Sequence, residues 1–133
     1  MLLTVSCSDH DKKPVNSNCD NNAQIVSQAI FENVNTANYT ITNVALNQDC
    51  IDITISSSGC SGETWQMNLF STSEVSSTAI PQKQLKIGLT NTELCAAVIS
   101  KTVSFSLIPY QLNGQHEITL FIEGWATPVS YTY

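Results

Sequence analysis

The octapeptide Asp49-Cys50-Ile51-Asp52-Ile53-Thr54-Ile55-Ser56 sets isoleucines at alternate positions between polar residues, and most of the chain after Asn38 keeps the same period of two. Successive side chains of a strand point to opposite faces, so this alternation marks a strand with one face buried. Tyr39, Ile41, Val44 and Leu46 give a strand that ends at the turn-like cluster Asn47-Gln48-Asp49, and Ile51, Ile53 and Ile55 follow at hairpin distance. Trp65, Met67 and Leu69, then Leu85, Ile87 and Leu89, then Val103, Phe105 and Leu107 repeat the pattern. Ile118, Leu120 and Ile122 make a sixth strand, and Val129, Tyr131 and Tyr133 a seventh, opened by Pro128 where the missing donor is not needed. About seven short strands, each with one apolar face, predict an all-β, antiparallel two-sheet Ig-like sandwich, with an open barrel as its rival.

Residues 23–34 break the pattern. Ala23, Val26, Ile30 and Val34 recur at helical spacing, while the Asn and Val content suits an irregular strand, so one short N-terminal helix stays open beside a strand. With 133 residues the chain is sized for one core. Residues 1–22 read as a signal remnant and a polar tether, and residues 23–133 as the sandwich domain.

The cysteines are Cys7, Cys19, Cys50, Cys60 and Cys95, with no Cys-x-x-Cys pair of the kind that holds zinc. Cys7 stands apart behind an apolar start, which leaves four for disulfides in an oxidising compartment. A strand running from Cys50 carries the chain about 20 Å before Cys60, whereas a disulfide needs α-carbons within about 7 Å. That excludes Cys50 with Cys60. Two connectivities survive, Cys19 with Cys50 plus Cys60 with Cys95, or the crossed pairing. The first is preferred because it ties the tether to the strand it enters beside.

Met1-Leu2-Leu3-Thr4-Val5-Ser6-Cys7 is an apolar stretch closing on a small residue and a cysteine, followed at once by Ser8-Asp9-His10-Asp11-Lys12-Lys13. It resembles a lipobox, in which the cysteine is acylated and the peptide before it removed. The Ser8-Asp9-x-Asp11 tract is similar to the signal that carries Bacteroidota-type lipoproteins to the outer face of the outer membrane. The resemblance implies a lipid anchor on Cys7, a membrane as partner and a place at the cell surface. A signal peptide has a basic start and an apolar segment of about 7–15 residues. Here only six residues precede Cys7, none basic, and Thr4 stands where the pattern prefers leucine. The expectation is that the sequence begins downstream of the true start.

The octapeptide around Cys50, together with Ser58-Gly59-Cys60, Leu94-Cys95 and Thr102-Val103-Ser104-Phe105-Ser106-Leu107, is similar to an uncharacterised family of small Bacteroidota surface lipoproteins over residues 39–107. The resemblance implies a cysteine-containing β-sandwich and lends no settled activity. Members carry a second glycine before the third cysteine and a histidine shortly after it. This chain has Ser58 and, around Glu63 and Thr64, no histidine.

Composition excludes several chemistries. The net charge is −6, there is no arginine, and the five lysines are scattered, so a nucleic-acid partner is not expected. His116 is the one histidine of the body and carries no motif of a general base beside a nucleophile. The serine-rich stretch around Gly59 has no Gly-x-Ser-x-Gly elbow. Glu117 and Glu123 on one strand stand about 20 Å apart, too far for a glycosidase pair. Asp49 with Asp52, or Asp9 with Asp11 and Asp20, follow no calcium-loop spacing. Neither a metal, a cofactor nor an enzymatic activity is expected.

Alternation turns Phe70 and Phe121 outward, and Tyr110 and Trp125 fall in loops. Exposed aromatics beside Asn, Gln and Thr stack on sugars or anchor protein partners. The leading expectation is a non-enzymatic surface module that binds a glycan or an envelope protein through these four. The alternative is a secreted protease inhibitor whose rigid loop is residues 57–63, braced by Cys60.

Overall fold

The computed structural model describes residues 18–133, and Cys7 with the lipobox-like segment lies outside them. The fold is an all-β sandwich. One sheet holds β1 (Asn21–Asn22), β3 (Thr40–Asn47), β4 (Cys50–Gly59) and β7 (Ala97–Ser106), in the order β1-β7-β4-β3. The other holds β2 (Gln24–Ile25), β5 (Gln66–Ser71), β6 (Gln82–Thr90), β8 (Glu117–Ile122) and β9 (Val129–Thr132), in the order β2-β5-β6-β8-β9. A helix α1 (Gln28–Glu32) and a 3₁₀ turn (Ile108–Tyr110) complete it.

The core follows from the alternation. Ile51, Ile53 and Ile55 of β4, Val103 and Phe105 of β7, Leu85, Ile87 and Leu89 of β6 and Ile118, Leu120 and Ile122 of β8 all enter one buried cluster. β4 and β7 pair without interruption from Cys50 opposite Ser106 to Gly59 opposite Ala97. β7 therefore starts well before Val103. Its first half carries exposed Ala97 and Val98 and holds its strand geometry through the ladder to β4.

The sheets are mixed rather than antiparallel. β1 runs parallel to β7, β2 to β5 and β6 to β8. The first two pairs come from one extended segment that changes sheets. Asn21 and Asn22 bond to the first sheet, Ala23 donates its N–H to Ser106 O at 2.9 Å, and Gln24 and Ile25 bond to the second. Pieces this short show no period, which is why nine strands stand where seven were expected. β6 and β8 are parallel because the chain between them crosses to the other sheet through β7, and only a tight hairpin would force them antiparallel. Residues 23–34 are thus a strand and then a helix. β1 also lies within the stretch that the sequence assigns to the tether.

The helix owes its start to Ser27, whose side chain accepts from Ile30 N. None of its residues is buried, so the helical spacing of Ala23 and Ile30 marks no core face. Among the described residues no helix is long and apolar enough to cross a membrane.

Both disulfides secure β4. Cys50, its first residue, is bonded to Cys19 just before β1, with α-carbons 5.6 Å apart. Cys60, one residue past its end, is bonded to Cys95, two residues before β7, at 4.9 Å. These are the preferred pairs.

Candidate binding face

The outer face of the five-stranded sheet is built by the same alternation that fills the core. Because Lys83, Leu85, Ile87 and Leu89 of β6 point inward, Gln82, Gln84, Lys86 and Gly88 point outward. The register places Phe70 of β5 opposite Lys86 and Phe121 of β8 opposite Gln84. The two phenylalanines thus share one face, on strands that flank β6, and both are half-buried.

Helix α1 is anchored to this face by Lys86, whose Nζ donates to Phe31 O at 3.1 Å and lies 4.6 Å from the Phe31 ring centroid. Two shallow depressions result. One, of about 280 Å³, brings Gln28 and Phe31 of the helix against Gln82, Gln84, Thr72 and Ser76. The side-chain amides of Gln82 and Gln84 bond to no other described residue, so their donors and acceptors are open to a ligand. The other, of about 260 Å³, lies between Phe70, Val34 and Asn35. Gly88 makes its floor. A Cβ there would come 2.8 Å from Phe70 Cε2 and 3.4 Å from Val34 Cγ1, so only glycine lets the ring lie across the strand.

The other two expected aromatics do not join this face. Tyr110 is fully buried and is a correction to the expected site. Proline at the start of its 3₁₀ turn folds the ring inward, where its hydroxyl donates to Gln24 O at 2.9 Å and holds β2 in place. Trp125 follows β8 in a turn and packs half-buried against the core cluster.

The other residues weighed in the sequence lie apart from this face or serve contacts within the fold. His116 is exposed at the entrance to β8, and its carbonyl accepts from Tyr133 N. Glu117 accepts from Ser130 Oγ and Glu123 from Thr36 Oγ1, both at 2.6 Å. Asp49 accepts from Tyr131 OH at 2.6 Å, which clasps the β3–β4 turn to β9. Among the described residues no group of three or more His, Cys, Asp or Glu side chains could hold a metal ion.

Two features escape sequence reasoning. Lys83 is 2% exposed inside the sandwich, where Nζ donates to Thr72 O at 2.5 Å and sits 5.4 Å from the Tyr110 ring centroid. Burial pushes its pKa down. Counting back by two from Leu85 would have placed it there.

The second is a carboxylate cradle. Residues 60–64 wrap the side chain of Glu93. Oε1 accepts from the N–H groups of Cys60, Ser61 and Gly62 at 2.6, 3.1 and 3.0 Å, and Oε2 accepts from Thr64 N at 3.3 Å and Thr64 Oγ1 at 2.7 Å. Successive N–H groups converge like this only where the backbone reverses its sense, and Gly62 supplies that with φ of +80°. Of the rigid loop expected over residues 57–63, the first three residues belong to β4 and the stretch around Cys60 is a concave receiver for Glu93.

The Thr64 hydroxyl, then the Gly62 and Cys60 amides, hold the Glu93 carboxyl down to about 2, from an ordinary 4.5. A depressed carboxyl stabilises the fold above its unfolded value and loses that contribution as pH falls toward the folded one. These amides are thus expected to stay bonded through pH 4 and to be released only as pH falls to about 2, while the sandwich persists. Hydrogen exchange at Cys60, Ser61 and Gly62 reads this directly, and a Glu93 carboxyl titrating near 4.5 would contradict it.

The sequence matches no family model and no curated protein. The chain is similar in structure to a protein of unknown function, DUF1344, from Bacteroides vulgatus ATCC 8482, with a TM-score of 0.56 and 14% identity over 85% of this chain. It spans 56% of that protein's length, and at such identity the likeness shows a common fold.

Proposed function

We propose that this chain is a non-enzymatic module of the bacterial cell surface, belonging with the uncharacterised Bacteroidota lipoproteins, anchored by lipid on Cys7 and binding a glycan through the outer face of its five-stranded sheet. The observation that carries this is the depression between helix α1 and β6. It sets free glutamine amides and the hydroxyls of Thr72 and Ser76 beside an aromatic ring held by Lys86. Sugars present a polar edge and an apolar C–H face, and this combination satisfies both. The Bacteroides fold neighbour and the lipobox-like start support the setting.

The test is calorimetric titration of the full chain against soluble mannan, xylan and dextran. At least one should bind, and Phe31→Ala combined with Gln84→Ala should weaken it by about tenfold or more, as for a binding hot spot. Gln84 is exposed and the Phe31 main-chain bond to Lys86 stays, so the variant should lose only the ring contact and melt within about 5 °C of the parent. Heat from none of the three, or equal binding by the variant, would discard the face.

A further inference from the structure

Leu94 leaves 96% of its surface in water, although its two neighbours are both fixed. On one side Glu93 is clamped by its carboxylate to residues 60–64, and its N–H donates to Asn91 Oδ1 at 3.0 Å while Asn91 Nδ2 holds Ser58 O at 2.6 Å. On the other, Cys95 is bonded to Cys60 of the same cradle. Thr92 and Leu94 have no main-chain hydrogen bond within the described residues, so their N–H and C=O groups are open to another chain. Beyond Cys95 stand only the exposed small residues Ala96 and Ala97 before Val98.

We propose that residues 91–96 form a substrate-like inhibitory loop for a serine protease with an apolar primary pocket, with Leu94 as the side chain that enters it. Open backbone groups on either side of a held residue are what a protease pairs with its own edge strand, and one unobstructed leucine fits a hydrophobic pocket. Fixing the loop before binding removes the ordering penalty that a flexible substrate carries.

The anchors also decide the outcome of nucleophilic attack. The protease serine Oγ adds to the Leu94 carbonyl carbon, the Leu94–Cys95 bond breaks, and the serine proton passes through the protease base to the Cys95 amine. Leu94 is then an ester of the enzyme. The new amine cannot diffuse away, because Cys95 remains bonded to Cys60 and Glu93 remains clamped to the same cradle. It re-attacks the ester, the peptide bond re-forms, and the serine regains its proton. The high local concentration of the amine favours this reversal over hydrolysis by water.

The experiment incubates the oxidised full chain with chymotrypsin, subtilisin and trypsin and follows residual hydrolysis of a small chromogenic peptide. Chymotrypsin or subtilisin should be inhibited at near-stoichiometric ratio. Leu94→Lys should lose about a hundredfold against that enzyme and gain inhibition of trypsin, because the pocket residue decides specificity. Leu94 is so exposed that this variant should melt with the parent. Glu93→Gln, which weakens the clamp, should be cut faster at Leu94–Cys95, detected as one added water by mass. Full activity of both apolar-pocket proteases, rapid turnover of the parent at that bond, or unchanged specificity in Leu94→Lys would each overturn the proposal. Phe31→Ala with Gln84→Ala leaves this loop untouched, so failure of the glycan reading and failure of this one are read separately.

Discussion

Loss of both disulfides is expected to take away about 7 kcal/mol, most of the net stability a domain of this size possesses. The bridges close separations of 31 and 35 residues, and by loop entropy each constrains the unfolded chain by about 3.7 kcal/mol. The closed segments, 19–50 and 60–95, do not overlap, so the two contributions should add. One kcal/mol moves the midpoint of such a domain by about 4 °C, and either pair alone should lower Tm by roughly 15 °C. The pairs should still differ in kind. Cys19 and Cys50 are buried, and their bridge fixes the crossing segment of β1 and β2, so Cys19→Ala with Cys50→Ala should loosen both sheets. Cys60 and Cys95 are exposed, so Cys60→Ser with Cys95→Ser should spare the core and free the cradle loop. Thermal melts followed by circular dichroism, with free thiols counted by mass, check both. A fully reduced chain that melts with the oxidised one would show that the bridges stabilise nothing.

How much of this was legible depends on the distance over which each feature is written. β4 is written locally, since three isoleucines at period two need no partner to be recognised, and its length alone forbids Cys50 from reaching Cys60. The same alternation turns Phe70 and Phe121 outward, but that they share a face is visible only in the register that sets both beside β6. Tyr110 is not legible in this way, because the loop that carries it turns inward and its hydroxyl is met by a carbonyl from residue 24. Glu93 lies 33 residues from Cys60, and nothing local marks a solvated-looking glutamate as the occupant of a distant nest. The crossing between β1 and β2 is invisible for a related reason. Two-residue strands exist only through the ladders that β7 and β5 offer them. Segments that carry their own burial pattern can be read from sequence, and segments that borrow their geometry from a neighbour cannot.

The same buried hydroxyls that hold the sheets together predict a steep alkaline limit. Burial, reinforced by the charge of Glu123, pushes the Tyr39 hydroxyl up to about 12 from an ordinary 10.0 while it donates to Ile87 O. Burial also raises Tyr110, and burial together with the Asp49 carboxylate it bonds raises Tyr131. For an acid raised in the fold, the stabilisation is complete below the unfolded value and is lost as pH climbs through the folded one. Each tyrosine that stays protonated in the fold while ionising in the unfolded chain therefore lowers stability by about 1.4 kcal/mol per pH unit above 10. Lys83 acts in the opposite sense over a lower range. Its pKa is depressed below 10.5, so between the two values the unfolded chain binds the extra proton and stability rises with pH, a gain that ends near 10.5. These groups together place a maximum near pH 10 and a sharp fall above it, with unfolding before pH 12. Tyrosinate absorbance should appear in the same transition as the loss of strand circular dichroism, and Tyr131→Phe should shift that transition upward in pH while lowering stability near neutrality by about 1–2 kcal/mol through the lost bond to Asp49. Tyrosinate that forms gradually from pH 10 in an intact sandwich would mean that these hydroxyls are not withheld from solvent.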